Sequence, residues 1–203
     1  MKKNIDKKAH AYLKKVDPIL ALAIDNSLEV LEISDKVYES LLSSIIGQQI
    51  SVAAARSVEH KFLNFFGGSF PEYKKLINTS DDDLRSCGLS YQKASYLKNI
   101  AVYFQENNLQ DHDFANMQDT EILKKLTEIK GVGKWTVEML LMFTLARPDI
   151  FSIDDLGLVR GCEKLYDLKK TKTLNKRILK ISEKWSPYRS LASRYLWKFK
   201  DTK

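Results

Sequence analysis

Cysteine is scarce in this 203-residue chain: Cys87 and Cys162 stand alone, away from each other and from any histidine. Two isolated thiols exclude a disulfide framework, a zinc site and a four-cysteine iron–sulfur cluster, and they fit a reduced, intracellular setting. Set among apolar residues, both read as small buried hydrophobes. Histidine is equally sparse. His10, His60 and His112 lie far apart with no serine or cysteine nucleophile pattern beside them, so they read as surface or packing residues. No apolar run reaches the length of a signal-peptide core or a membrane span, and the charged start, Met1 to Lys8, leads into none. A soluble protein is expected. Strand-like alternation, internal repeats and low-complexity linkers are also missing.

What is present is helical periodicity almost throughout, which predicts an all-α fold of roughly nine or ten helices. Tyr38, Leu41, Leu42, Ile45 and Ile46 form one stripe, and Ala54, Ala55, Val58, Phe62 and Phe65 form another that stops at Gly67-Gly68. Ser80 before Asp81, Asp82 and Asp83 reads as a capped helix start. The segment Lys134 to Leu145 is apolar on nearly every side and is expected to be a central buried helix. Pro187 is expected at the first position of a last helix, where no N–H bond is lost. The length permits one compact domain, or two small helical lobes. Lys plus Arg total 33 against 26 Asp plus Glu, and the net charge of +7 favours a polyanionic partner without identifying it. The basic run from Lys169 to Lys176 reads as a solvated face.

Leu126 to Val137 carries the most information: two helices joined through Gly131-Val132-Gly133, followed by Lys134, Trp135 and Thr136. Glycines there permit positive φ and close backbone approach, and the second helix offers N–H groups and its positive dipole end to an anion such as a phosphate. The glycine turn alone would also suit an ordinary helix connection. Twenty residues past Trp135 stands an acidic pair, Asp154-Asp155, before a helix whose apolar positions begin at Leu158. Capping explains an aspartate in that place, and one of the pair can cap while its neighbour does chemistry.

Taken together, these residues resemble the helix-hairpin-helix DNA glycosylases, and within them the DNA-3-methyladenine glycosylase II branch. The hairpin is followed at the family's spacing by Asp155, Leu158 and Arg160, and three further blocks look familiar. These are Ile46 to Ala55, Leu84 to Ser90 with Lys93, Tyr96 and Leu97, and Trp185 to Ser190 with Ala192 and Trp197. The similarity is to compact all-helical members, not to larger bacterial relatives with an added β-rich domain.

That resemblance implies two helical lobes with a cleft between them, one from the chain ends, about 1–35 and 150–203, the other from about 36–149. It implies an enzyme of base excision repair that turns a damaged nucleotide out of duplex DNA and hydrolyses its glycosidic bond. Asp155 would be the catalytic carboxylate, with Asp154 the alternative; Trp135, Trp197 and Tyr188 would form the base pocket. Gln49, or else Gln48, would fill the gap in the duplex, and Gly131, Val132, Gly133, Lys134 and Thr136 would meet the DNA backbone. Bifunctional members carry a lysine where this chain has Trp135, so a monofunctional enzyme leaving an abasic site is implied, acting on 3-methyladenine and 7-methylguanine. No cofactor is required; the family's hairpin commonly holds a monovalent cation, Na or K, through backbone oxygens. A monomer is expected, cytoplasmic and nucleoid-associated in a bacterium or nuclear in a eukaryote. The rival readings are a non-catalytic hairpin protein that only binds DNA, and a bifunctional glycosylase for oxidised bases.

Overall fold

A computed structural model describes the backbone of residues 2–25, 27–28 and 31–202, and within those ranges the side chains from residue 7 onward. The charged stretch Met1 to Asp6 therefore lies outside the described side chains. Among the described residues the chain forms helices and connecting turns, with no strand. The twelve α-helices are α1 (Lys2–Val16), α2 (Pro18–Ala21), α3 (Val37–Gly47), α4 (Val52–Phe65), α5 (Tyr73–Asn78), α6 (Asp81–Ser86), α7 (Tyr91–Glu106), α8 (Asp119–Thr127), α9 (Lys134–Phe143), α10 (Leu156–Leu165), α11 (Leu174–Glu183) and α12 (Arg189–Lys200). A 3-10 helix covers Asp111–Ala115. The count exceeds the expected nine or ten because α2 and α5 are too short to show a periodic stripe.

The chain divides into two compact units, Met1–Ile33 with Leu141–Lys203, and Ser34–Leu140. In the second, α3 packs on α4 and α7, and α5 and α6 pack on α7. Its core holds Leu41, Leu42, Ile45, Leu97, Ile100, Phe104 and Leu126. Side-chain oxygens begin several of these helices: Ser51 accepts from Ala54 N–H, Ser80 from Asp83 N–H and Ser90 from Lys93 N–H.

The first unit is built around Leu13, Leu20, Leu158, Cys162, Ile178, Trp185, Tyr195 and Leu196, with α10 packed on α12. Gly161 makes that crossing close, since a Cβ there would stand 2.8 Å from the Leu196 carbonyl oxygen. Both cysteines are buried. The last helix starts at Arg189, so Pro187 is not its first residue. Asp149 decides the start: its carboxylate accepts the Arg189 backbone N–H at 3.2 Å, two guanidinium N–H bonds at 2.8 and 3.0 Å, and the Ser186 hydroxyl at 2.8 Å. A helix begins where its N–H groups find an acceptor, and this acceptor comes from 40 residues upstream.

Asp17, 2% exposed, is the polar hub of this unit. It caps α2 through Ile19 and Leu20 N–H, and its other oxygen accepts the Tyr166 hydroxyl at 2.8 Å and the Trp185 indole N–H at 3.0 Å. Burial, and then the bond to Asp17, push the Tyr166 hydroxyl far above the usual tyrosine range, so it stays a donor. Asp17→Ala would strand the buried Trp185 indole N–H and the half-buried Tyr166 hydroxyl, and uncap α2. A loss of about 3–5 kcal/mol in urea-unfolding free energy is expected.

Candidate functional site

In the Ser34–Leu140 unit, the turn between α8 and α9 is compact. Val132 N–H bonds the Ile129 carbonyl at 2.9 Å, and Val132 itself is buried. Gly131 sits at φ +108°, where a side chain is strained, and its backbone lies on the Tyr96 ring: a Cβ would come within 2.2 Å of Tyr96 Cγ. Asn99 Nδ2 donates to the Lys130 carbonyl at 3.0 Å, so α7 supports the turn at two points. Gly133 differs, having open space where its Cβ would be and a backbone outside the positive-φ region. It is exposed and precedes α9 directly, its carbonyl accepting Val137 N–H. The hairpin thus has one glycine forced by packing and one that leaves the α9 N-terminus uncovered.

Of the other hairpin residues, Lys134 is exposed and pairs with Glu138 one turn on, at 3.5 Å. Thr136 is 3% exposed, which turns its side chain away from solvent. It lines a cavity of about 510 Å³ together with Ser44, Gly47, Gln48, Gln49, Trp135 and Met139. The structure therefore brings Trp135 and both glutamines to one cavity. Trp135 is 41% exposed and Phe143 44%, so α9 is not buried all round as its composition suggested. When every face is apolar, composition cannot say which face meets solvent.

Gln49 holds the left-handed conformation at φ +59°, uncommon for a residue with a side chain, and is exposed at the turn between α3 and α4. Lys93 fastens this turn: its ammonium donates to the Ile46 carbonyl at 2.7 Å, and burial draws its pKa below the usual lysine range. No sequence pattern announces that bond, which joins residues 47 apart.

In the unit made of the chain ends, the two aspartates separate. Asp155 is the N-cap of α10, and its Oδ1 accepts Leu158 N–H at 2.7 Å and the Trp197 indole N–H at 2.8 Å. Capping and candidate chemistry therefore fall on one residue, not on two neighbours as the sequence suggested. Asp154 is exposed and lines a cavity of about 440 Å³, with Arg160, Glu163 and Lys170 among its walls. Trp197 uses its edge for Asp155, and Phe143 lies against its ring at 5.6 Å between centroids. From the sequence Phe143 was expected only as part of the buried helix, although positions 135, 139 and 143 recur every four residues along α9. Tyr188 stands at the other end of α12, about 13 Å from Trp197 along the axis at the usual helical rise. Its ring packs edge-on against Tyr12. Among the described residues no group of three or more His, Cys, Asp or Glu side chains is placed to hold a metal ion.

A family model described as the HhH-GPD superfamily base excision DNA repair protein matches residues 42–187. DNA-3-methyladenine glycosylase 1 of Schizosaccharomyces pombe is 36% identical over 163 residues, which is 79% of this chain and 71% of that protein. The DNA-3-methyladenine glycosylase of Bacillus subtilis is 31% identical over 198 residues, 92% of this chain and 65% of the relative. The chain spans between 58% and 71% of the length of the curated relatives it matches first. Among solved structures, a DNA-3-methyladenine glycosidase from Bacillus halodurans superposes with a TM-score of 0.84 at 31% identity, covering 96% of this chain and 89% of that one. The S. pombe 3-methyladenine DNA glycosylase in complex with abasic DNA gives 0.82 at 32% identity, covering 94% and 95%.

The two hairpin glycines should respond differently to alanine. Gly131→Ala, strained and driven into Tyr96, is expected to lose about 3 kcal/mol. Gly133→Ala should lose about 1 kcal/mol or less. Thermal and urea unfolding of the two variants would check both values.

Proposed function

This chain belongs to the HhH-GPD superfamily of base excision DNA repair proteins, and we propose that within it the protein is a monofunctional alkylpurine DNA glycosylase of the 3-methyladenine glycosylase II type. Its substrate is duplex DNA carrying 3-methyladenine or 7-methylguanine, and its product is an abasic site in an unbroken strand. One observation carries the reading: the Asp155 carboxylate is held by two N–H donors, one from its own helix and one from the Trp197 indole.

A purine methylated at N3 or N7 is cationic and leaves readily, so the enzyme's task is to expose the base and stabilise the sugar. As the glycosidic bond breaks, positive charge grows on the deoxyribose, and a fixed carboxylate opposite that charge lowers the barrier and orients the attacking water. Asp155 performs this role; it is half-buried and held by backbone and indole donors, whereas Asp154 is exposed. Trp135 offers its exposed ring to the extruded base, where an electron-rich indole favours a cation. That preference is general for cationic bases and needs no close reading of any one lesion.

Gln49 fills the space the nucleotide leaves. Its left-handed backbone and exposure at the rim of the Trp135 cavity support it over Gln48, since strained residues persist where function keeps them. Gly133 and the first N–H groups of α9 receive a DNA phosphate, a contact that a bare backbone makes most closely. Main-chain oxygens in the turn after α8 are hard donors that suit Na or K. An ion held there would add positive charge beside the phosphate, with the carbonyls of that turn as its ligands. With Trp135 in the position of the bifunctional enzymes' lysine, no amine is supplied for a Schiff base, and strand nicking is not expected.

The test is release of free methylated purine from methylated duplex DNA by wild type and Asp155→Asn, with abasic sites scored before and after alkali. Wild type should release base and give nicks only after alkali. Asp155→Asn should bind the same DNA but release base at least about 100-fold more slowly. Binding without release by either protein would favour the non-catalytic reading, and nicking without alkali would favour the bifunctional one.

A further inference from the structure

We propose that Gly157 is a positioning residue for Asp155: by carrying no side chain it lets the Trp197 indole reach the carboxylate, and Trp197 serves the reaction through its N–H. The proposal rests on the reading of Asp155 as the reacting carboxylate. Gly157 is the second residue of α10, and its backbone is not in the left-handed region that would call for glycine. Glycine weakens a helix relative to alanine, so conformation alone gives no reason for it here.

Space gives the reason. A Cβ on Gly157 would stand 2.9 Å from Trp197 Cδ1, 3.0 Å from Trp197 Nε1 and 3.0 Å from Asp155 Oδ1. Those atoms are the donor and the acceptor of the 2.8 Å bond between the indole and the carboxylate. A methyl group there would press on both at once, and at 2.9 Å the indole has to shift. The indole cannot swing aside cheaply, because Phe143 lies against its ring and the preceding residues of α12, Tyr195 and Leu196, are fully buried.

Gly161 extends the same arrangement one turn on, where a Cβ would meet the Leu196 carbonyl oxygen. Together the two glycines let α12 approach α10 along the face that carries the indole. The Leu158 N–H bond is local to α10 and survives a change in that approach; the Trp197 bond is tertiary and does not. Gly157 thus sets whether the Trp197 indole holds Asp155 in addition to the Leu158 N–H.

The experiment compares wild type, Gly157→Ala, Trp197→Phe and the double variant. It uses single-turnover excision of methylated base, DNA-binding titrations and the indole N–H resonances in a nitrogen–proton NMR spectrum. Trp197→Phe identifies the Trp197 resonance by its loss, keeps an aromatic ring in place and removes the donor. Gly157→Ala should move that resonance to the position of an indole without a hydrogen bond, slow excision by about 10- to 100-fold and change DNA affinity less than about threefold. If Gly157 acts through Trp197, the double variant excises at the rate of Trp197→Phe alone, whereas a general loss of stability would multiply the two effects. An unmoved Trp197 resonance in Gly157→Ala, or multiplied effects in the double variant, overturns the proposal. Absence of excision by wild type overturns the glycosylase reading instead, and the NMR comparison still decides whether Gly157 controls the indole bond. If Gly157→Ala does not fold, Trp197→Phe still gives a deciding result: excision at the wild-type rate would mean the indole N–H holds nothing the reaction needs.

Discussion

A single oxygen, Asp155 Oδ1, receives one hydrogen bond from the first turn of α10 and one from an indole on α12. The first is an ordinary helix cap, formed by any aspartate in that register and worth about 1 kcal/mol to the helix. The second exists only if α10 and α12 pack closely enough for Trp197 to arrive, and that packing is granted by Gly157 and Gly161. On the proposed reading, stability and function are therefore written into the same carboxylate. Capping sets where the side chain leaves the backbone, and the indole sets which way its oxygens turn. Capping and catalysis compete as explanations when only the sequence is in view; in the folded unit the cap is the first half of the positioning.

Local patterns were readable, and long-range ones were not. The Gly-x-Gly turn announces itself because glycine spacing is a local property, and Gly131 does take the positive φ such a turn requires. That Gly131 must also clear the Tyr96 ring, 35 residues earlier, has no local sign. Asp154 and Asp155 are alike as residues. Only the resemblance to a family register chose between them, and the backbone now distinguishes a capped, indole-bound carboxylate from an exposed neighbour.

What local pattern did not convey has the same origin. Pro187 looked like a helix start because proline suits that position, yet the start belongs to Arg189, whose N–H finds Asp149 far upstream in the chain. Thr136 was expected at the DNA backbone; its side chain is buried in the wall of a cavity, which position after the hairpin could not show. Tyr188 and Trp197 were grouped as pocket aromatics by the family resemblance, which carries no information on their distance; the structure sets one before the first residue of α12 and the other near its end. Residue type and spacing within one element were sound guides; which partner arrives from another element was not readable.

The two preset features of the molecule follow one physical logic. Gln49 pays a conformational cost in the left-handed region, and the turn that holds it is over-determined by the Lys93 bond to Ile46 and by the Ser51 cap of the next helix. Asp155 is over-determined by two donors on one atom. In each case the protein has spent the ordering entropy during folding, before a substrate arrives. That timing matters for the proposed reaction, whose difficulty is a brief positive charge on a sugar. A carboxylate free to rotate would have to be oriented as the charge appears, and the reorganisation would be added to the barrier. One already fixed contributes its field at no such cost.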